Sequence, residues 1–169
     1  GQGSDIGILD ICCMNGRLLD AFSAAGFTDL SGTEVMDKTV EYIGQKGYSC
    51  HTGGVYTDAV SMDRQFECVT ICHALEHVYD LNAAMESLAR LISPGGWLYV
   101  EVPDADRFWE VPQQPLYHFT LEHFYHFNRQ SLLNIAAKYG FEPVCVVREA
   151  YPDITITSNP AIPHLDVLF

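Results

Sequence analysis

Basic residues are scarce in this chain: 9 Lys and Arg stand against 22 Asp and Glu among 169 residues, for a formal net charge of −13. No cluster gathers the few cations, so a nucleic-acid backbone would be repelled and no DNA or RNA partner is expected. Long apolar runs are also missing. None approaches the ~18 residues that span a bilayer, and nothing at the start reads as a signal peptide, so the chain is expected in the cytoplasm without membrane insertion. The 6 cysteines (Cys12, Cys13, Cys50, Cys68, Cys72, Cys145) contain no C-x-x-C pair. Most lie in apolar, strand-like runs, which points to small buried thiols in a reducing compartment rather than a disulfide framework. What the chain does have is apolar substance, 48% of its residues, at a length that suits one domain with a core. Residues 1–169 are read as that domain, with 1–5 a flexible end or expression remnant and 159–169 a C-terminal tail.

Strand and helix patterns alternate along it. "IGILDIC" (6–12), "LSGTEV" (30–35), "YSCHTG" (48–53), "FECVTICHA" (66–74) and "WLYVEVP" (97–103) read as strands. Between them, "GRLLDAFSAAG" (16–26), "MDKTVEYIGQKG" (36–47) and "LNAAMESLARLISPGG" (81–96) carry apolar stripes at helical spacing and end on glycine. A segment rich in aromatics and His runs from Asp104 to Phe127. A helix follows over 128–141 with Asn128 as N-cap. "EPVCVVREA" (142–150) and "DITITS" (153–158) then read as two strands around the turn signal "YPD". This alternation predicts a mostly parallel sheet flanked by helices, with an antiparallel hairpin at one edge. In such sheets ligands sit beyond the carboxyl ends of the strands, where strand order reverses.

Three stretches at those ends bear on function. In "LDICCMNG", an acid (Asp10) ends a strand and a turn closes on Gly16 before a helix. This is a loop whose backbone N–H groups could receive a polar ligand, or an ordinary strand-turn-helix. Two of its glycine positions hold Cys12 and Met14 instead. Glu34, about 20 residues on, is spaced to bond a ribose diol; the alternative is an N-cap for the following helix. "VTICHALEHVYD" (69–80) contains His73, Glu76 and His77 as H-x-x-E-H, the pattern of inverted zinc peptidases. That pattern needs both His one turn apart in a long helix. Here "CVTIC" favours strand and Asp80 with Asn82 reads as a turn, so no metal is expected. His118, His123 and His126 form a second group, surface histidines or a metal set.

Together these motifs resemble a class I S-adenosylmethionine-dependent methyltransferase of the small-molecule group that includes ubiquinone- and menaquinone-type enzymes. The resemblance runs from Ile8 to about Ser158. It rests on "ILDICCMNGRLLDAFSAAGF", on "GTEV" with its ribose-binding acid, on "FECVTICHALEHVYD", on "LISPGGWLYVEVPD" and on "LEHFYHFNRQSLLNIAAKYGFEPV", in that order. It implies a Rossmann-like, seven-stranded, mostly parallel sheet with an antiparallel C-terminal pair. It implies S-adenosylmethionine as cofactor, held by Asp10, Cys12, Cys13, Met14, Gly16, Glu34, Val35, Ile71, Cys72 and His73. It implies a small-molecule acceptor met by His123, His77 and His73 as catalytic candidates, with Trp109, Phe119, Phe124 and Tyr125 as pocket walls or core. A homodimer is left open.

The chain departs from the family at three places. Cys12 stands where the motif has its most expected glycine, and Met14 beside it is large. Asp58 is the nearest acid to an adenine contact after the third strand. The sequence starts almost at the first strand, so the N-terminal helical segment usual in the family is expected either to be missing from this stretch or to be replaced by an open site. Those departures motivate a second reading, a non-catalytic binding or scaffold module with a degenerate cofactor loop. A hydride-transfer enzyme comes third, since G-x-G-x-x-G is absent.

Overall fold

The computed structural model describes residues 5–56, 62–110, 119, 121–151 and 162–169. Strands β1 (Ile8–Ile11), β2 (Leu30–Glu34), β3 (Ser49–Thr52), β4 (Phe66–Cys72) and β5 (Ile92–Pro103) alternate with helices α1 (Arg17–Ala24), α2 (Asp37–Gln45) and α3 (Leu81–Leu91). Helix α4 (Arg129–Lys138) and strands β6 (Cys145–Tyr151) and β7 (Ile162–Leu168) complete the fold. The seven strands form one sheet in the order β3-β2-β1-β4-β5-β7-β6. β1 to β5 are parallel, and β7 runs antiparallel to both β5 and β6. Strand order reverses at β1, which lies between β2 and β4, and that reversal opens a crevice at the carboxyl ends.

The Rossmann-like sheet is as expected, and its local causes are visible. β1 and β2 are buried at every position, as strands covered on both faces must be. Leu9, Ile11, Val69, Ile71, Leu98 and Val100 from the middle strands meet Leu88 and Leu91 of α3 and Leu132 and Ala136 of α4 in one core. Each such side chain stabilises the fold by about 1.5–3 kcal/mol. Asn128 caps α4 as its sequence predicts: its side chain accepts from the Ser131 amide while Ser131 Oγ accepts from the Asn128 amide.

Two boundaries differ from the sequence reading. The third helix ends at Leu91, not at 96; Ile92 already pairs with Phe66 in β5, across a register shift between Phe66 and Cys68. Pro94 disfavours helical backbone at Ser93, and Gln65 Nε2 takes up the freed carbonyls of Arg90 and Ile92 at 3.0 and 3.2 Å. The second correction concerns residues 159–169. Their described part is not a tail: Ile162–Leu168 is strand β7, inserted between β5 and β6 rather than added at the edge. Leu165, Val167 and Phe169 alternate into the core, a period-2 signal of strand. The stretch "DITITS" (153–158) lies outside the described residues. Among the described residues, no helix is long and apolar enough to cross a membrane.

Candidate functional site

The turn after β1 is built on three left-handed residues in alternation: Cys12 (φ 58°), Met14 (φ 46°) and Gly16 (φ 73°). Only the last is a glycine, and there the side chain is also forbidden by space, since a Cβ would lie 2.6 Å from Ile43 Cδ1. The turn is tied to β2. The amides of Cys12 and Cys13 donate to Oγ1 and the carbonyl of Thr33, at 3.3 and 2.9 Å. Glu34, only 4% exposed, ends β2 with its carboxylate turned toward the loop. Its Oε2 accepts from the Met14 amide at 3.0 Å and its Oε1 from the Val35 amide at 2.8 Å. A carboxylate has about four acceptor sites, so each oxygen keeps capacity for a further donor.

A cleft of about 370 Å³ opens over this loop at the carboxyl ends of the strands. Of the residues expected at a cofactor, Cys12, Met14, Glu34, Val35 and His73 line it, joined by His77. Gly54, Val55 and Tyr56, just after the third strand, and Ala74, within the H-x-x-E-H stretch, lie at strand ends where a ligand is expected; Met36 and Val78 complete the wall and were not singled out in the sequence. Each of these two adjoins a recognised position, Val35 or His77, which is its only sequence signal. A larger cavity of about 590 Å³ lies around Pro94, Gly96, Phe141 and Phe169. It is at the start of β5, away from the point of strand reversal, and volume alone does not make it the functional site.

Asp10, Cys13, Gly16, Ile71 and Cys72 do not line the cleft; they form the frame beneath it. Asp10 is 3% exposed and accepts from Thr70 Oγ1 of β4 at 2.7 Å. Burial pushes its carboxyl up to about 7, the Thr70 bond opposing only part of that. The Cys12 thiol is pushed up to about 11 by burial, with the Glu34 charge adding to it, so it lines the cleft as a neutral thiol. Asp58 and His118 lie outside the described residues.

The H-x-x-E-H segment is not a helix. β4 runs to Cys72, His73 turns in the left-handed region (φ 49°), and Leu75–His77 is one 3-10 turn. His73 Nε2 lies 2.9 Å from Glu101 Oε1, and its Nδ1 lies 3.4 Å from Glu76 Oε1. Burial alone would lower its pKa, but the bonds with Glu101 and Glu76 outweigh it and raise the value to about 9. Both ring nitrogens of His73 thus face carboxylates, and neither is left for an acceptor in the cleft. His77 is different. Its Nδ1 meets the Glu122 carbonyl at 3.0 Å, so Nδ1 carries the hydrogen and Nε2 is left as an acceptor. His123 stands edge-on behind His77, ring centroids 4.7 Å apart, and does not itself line the cleft. His126 packs against Phe119. Trp109, Phe119 and Phe124 are exposed, and Tyr125 packs against the core.

A family model described as "Methyltransferase domain" matches residues 2–146. The ubiquinone biosynthesis O-methyltransferase of Bordetella avium is 29% identical over 98 residues, which are 54% of this chain and 40% of that one. The enzyme of the same name from Thiobacillus denitrificans is 31% identical over 98 residues, 54% and 42% of the two chains. The chain thus spans about two fifths of the length of these curated relatives. Among solved structures, a SAM-dependent methyltransferase from Methanosarcina mazei superposes with a TM-score of 0.77 at 14% identity, covering 98% of this chain and 92% of that one. Magnesium protoporphyrin IX methyltransferase from Synechocystis PCC 6803, solved with bound SAH, gives 0.70 at 15% identity over 97% and 74%.

Proposed function

The chain belongs to the methyltransferase-domain family, and from that premise we propose that its cleft binds S-adenosylmethionine and that a hydroxyl of a small-molecule acceptor is methylated there. When bound, the cofactor supplies an electrophilic methyl group on a sulfonium. The observation that carries the reading is the Glu34 carboxylate, buried at the cleft wall, tied to the Met14 and Val35 amides yet with acceptor capacity on both oxygens. Those acceptor oxygens suit a ribose diol, whose hydroxyls donate. Val35, Met36, Val55 and Tyr56 give the adenine an apolar wall.

Methyl transfer is an in-line displacement, so the chain's main work is alignment. A base is needed only where the acceptor must lose a proton. His77 is the group for that, with Nε2 as acceptor and Nδ1 held by the Glu122 carbonyl. His73, held between Glu76 and Glu101, fixes the turn at the floor and is not the base. His123 holds the His77 ring from behind. The names of the ubiquinone O-methyltransferase relatives support an acceptor with a quinone-related phenol. Six free thiols support a reducing compartment, the cytoplasm.

Calorimetry with S-adenosylhomocysteine tests the reading. Micromolar binding supports it. Binding unmeasurable at millimolar ligand, weaker than about −4 kcal/mol, would refute it and favour a scaffold whose cleft Cys12 and Met14 have filled. With an acceptor phenol in hand, His77→Gln should lower kcat by about 10²–10⁴-fold and leave cofactor affinity unchanged.

A further inference from the structure

Beside the cleft, three ligating atoms converge from elements far apart in sequence. Nε2 of His73, just after β4, lies 2.9 Å from Oε1 of Glu101 on β5. Nδ1 of His164, on β7, lies 3.6 Å from the same oxygen. One ligand atom from each of the three residues lies within 4.8 Å of those of the other two. Ligands bonded to a tetrahedral zinc ion at about 2.0–2.2 Å stand roughly 3.3–3.6 Å apart, so small side-chain adjustments bring the trio to that spacing. We propose that His73, Glu101 and His164 form a binding site for one divalent metal ion of the zinc type.

The atoms around the trio favour this over a chance grouping. A histidine that ligates a metal donates its other ring N–H to a carboxylate or carbonyl, which fixes its tautomer. The other nitrogen of His73, Nδ1, faces Oε1 of the buried Glu76 at 3.4 Å. A ligating carboxylate is itself held on its free oxygen. Oε2 of Glu101 accepts from the Tyr99 hydroxyl at 3.2 Å. The rings of His73 and His164 meet edge-on at 4.7 Å, and both turn a nitrogen to the one Glu101 oxygen. Side-chain exposure grades from 9% at His164 through 21% at Glu101 to 38% at His73, so the set is closed on the sheet side and open toward the cleft that His73 lines. Two imidazoles and one carboxylate select zinc, cobalt or nickel over magnesium or calcium.

A second trio, Glu76, His77 and His123, also has ligand atoms within 4.8 Å. It is the weaker candidate. His77 Nε2 stands 4.0 Å from Glu76 Oε1, and that oxygen already faces His73. The trio with His164 is also not the pair an H-x-x-E-H helix would use. No sequence pattern announces it, because its members lie at positions 73, 101 and 164.

The test uses the full chain, tag removed and freed of metal by a chelator, titrated with Zn²⁺ by calorimetry and with Co²⁺ by visible absorption. One Zn²⁺ per chain at about micromolar Kd or tighter is expected, with the intense absorption of a four-coordinate Co²⁺. Glu101→Gln, His164→Gln and the more exposed His73→Gln should each weaken Zn²⁺ by at least ~30-fold, and Tyr99→Phe by about 10-fold. His123→Gln should stay within threefold, about 0.7 kcal/mol. No Zn²⁺ binding at about 100 µM would overturn the proposal. So would loss of Zn²⁺ in His123→Gln with retention in His73→Gln. S-adenosylhomocysteine affinity is measured on the same metal-free protein. Retained nucleoside binding without zinc overturns the metal site alone, and zinc without nucleoside binding overturns the methyl-transfer reading alone.

Discussion

Met14 holds a backbone conformation made for glycine, and replacing it with glycine should stabilise the protein. Its φ of 46° lies in the left-handed region, where a Cβ costs about 1–2 kcal/mol. Glycine removes that strain and adds about 0.5–1 kcal/mol of chain entropy to the unfolded state. The side chain contributes little burial to offset, being 69% exposed, and the amide that donates to Glu34 is kept by any residue except proline. The net expectation is a gain of about 0.5–1 kcal/mol, or roughly 1–4 °C in Tm for a chain of this size. Met14→Ala keeps the Cβ and should change stability by less than about 0.3 kcal/mol. Urea unfolding of the three proteins decides it. Loss of stability in Met14→Gly, or an equal gain in Met14→Ala, would refute the strain argument. Cofactor affinity gives a second readout. In a working site, Cys12→Gly with Met14→Gly should leave S-adenosylhomocysteine affinity flat or worse; a tenfold gain would mean that the two side chains obstruct the cleft.

Glu34→Ala should weaken S-adenosylhomocysteine by about 1.5–3 kcal/mol, the worth of a charge-assisted hydrogen bond, and unchanged affinity in a folded variant would refute its role. Asp10 makes stability depend on pH. Its folded pKa of about 7 lies above the usual 3.8, so its contribution is fully present below pH ~4 and is lost as pH rises through about 7, at up to ~1.4 kcal/mol per unit. Asp10→Asn keeps an acceptor for Thr70 and should flatten that slope in unfolding experiments between about pH 4 and 7; an unchanged slope would place the titration elsewhere.

The sheet was legible in the sequence because its middle strands are continuous apolar runs and its helices carry clean stripes. Where neighbours in sequence decide the outcome, as in the Asn128 cap or the start of β4 at Phe66, reading and structure agree. Disagreements arise where distant residues decide. Leu165, Val167 and Phe169 alternate for only a few residues beyond the turn signal "YPD", so they read as a tail until β5 and β6 are seen on either side. Asp10 sits at the strand end where a ligand contact is expected, yet Thr70 from the neighbouring strand takes its carboxyl inward. His77 and His123 were recognised as residues, but their relation was not: a ring nitrogen fixed by the Glu122 carbonyl has no signature in either segment.

The placement of β7 has a consequence for how the protein is made. Among the described residues, β6 has no sheet neighbour except β7, and β5 pairs on that side with β7 alone. On the ribosome, residues 8–103 can assemble five parallel strands while the rest is still being synthesised. The flank of β5 then stays bare until residue 168 has cleared the exit tunnel. At about 5–20 residues per second, the interval from residue 103 to residue 168 lasts a few seconds or more. Throughout it, a long, apolar strand edge is open to any passing extended chain. The rate at which residues 104–168 are synthesised therefore sets how long that edge stays open.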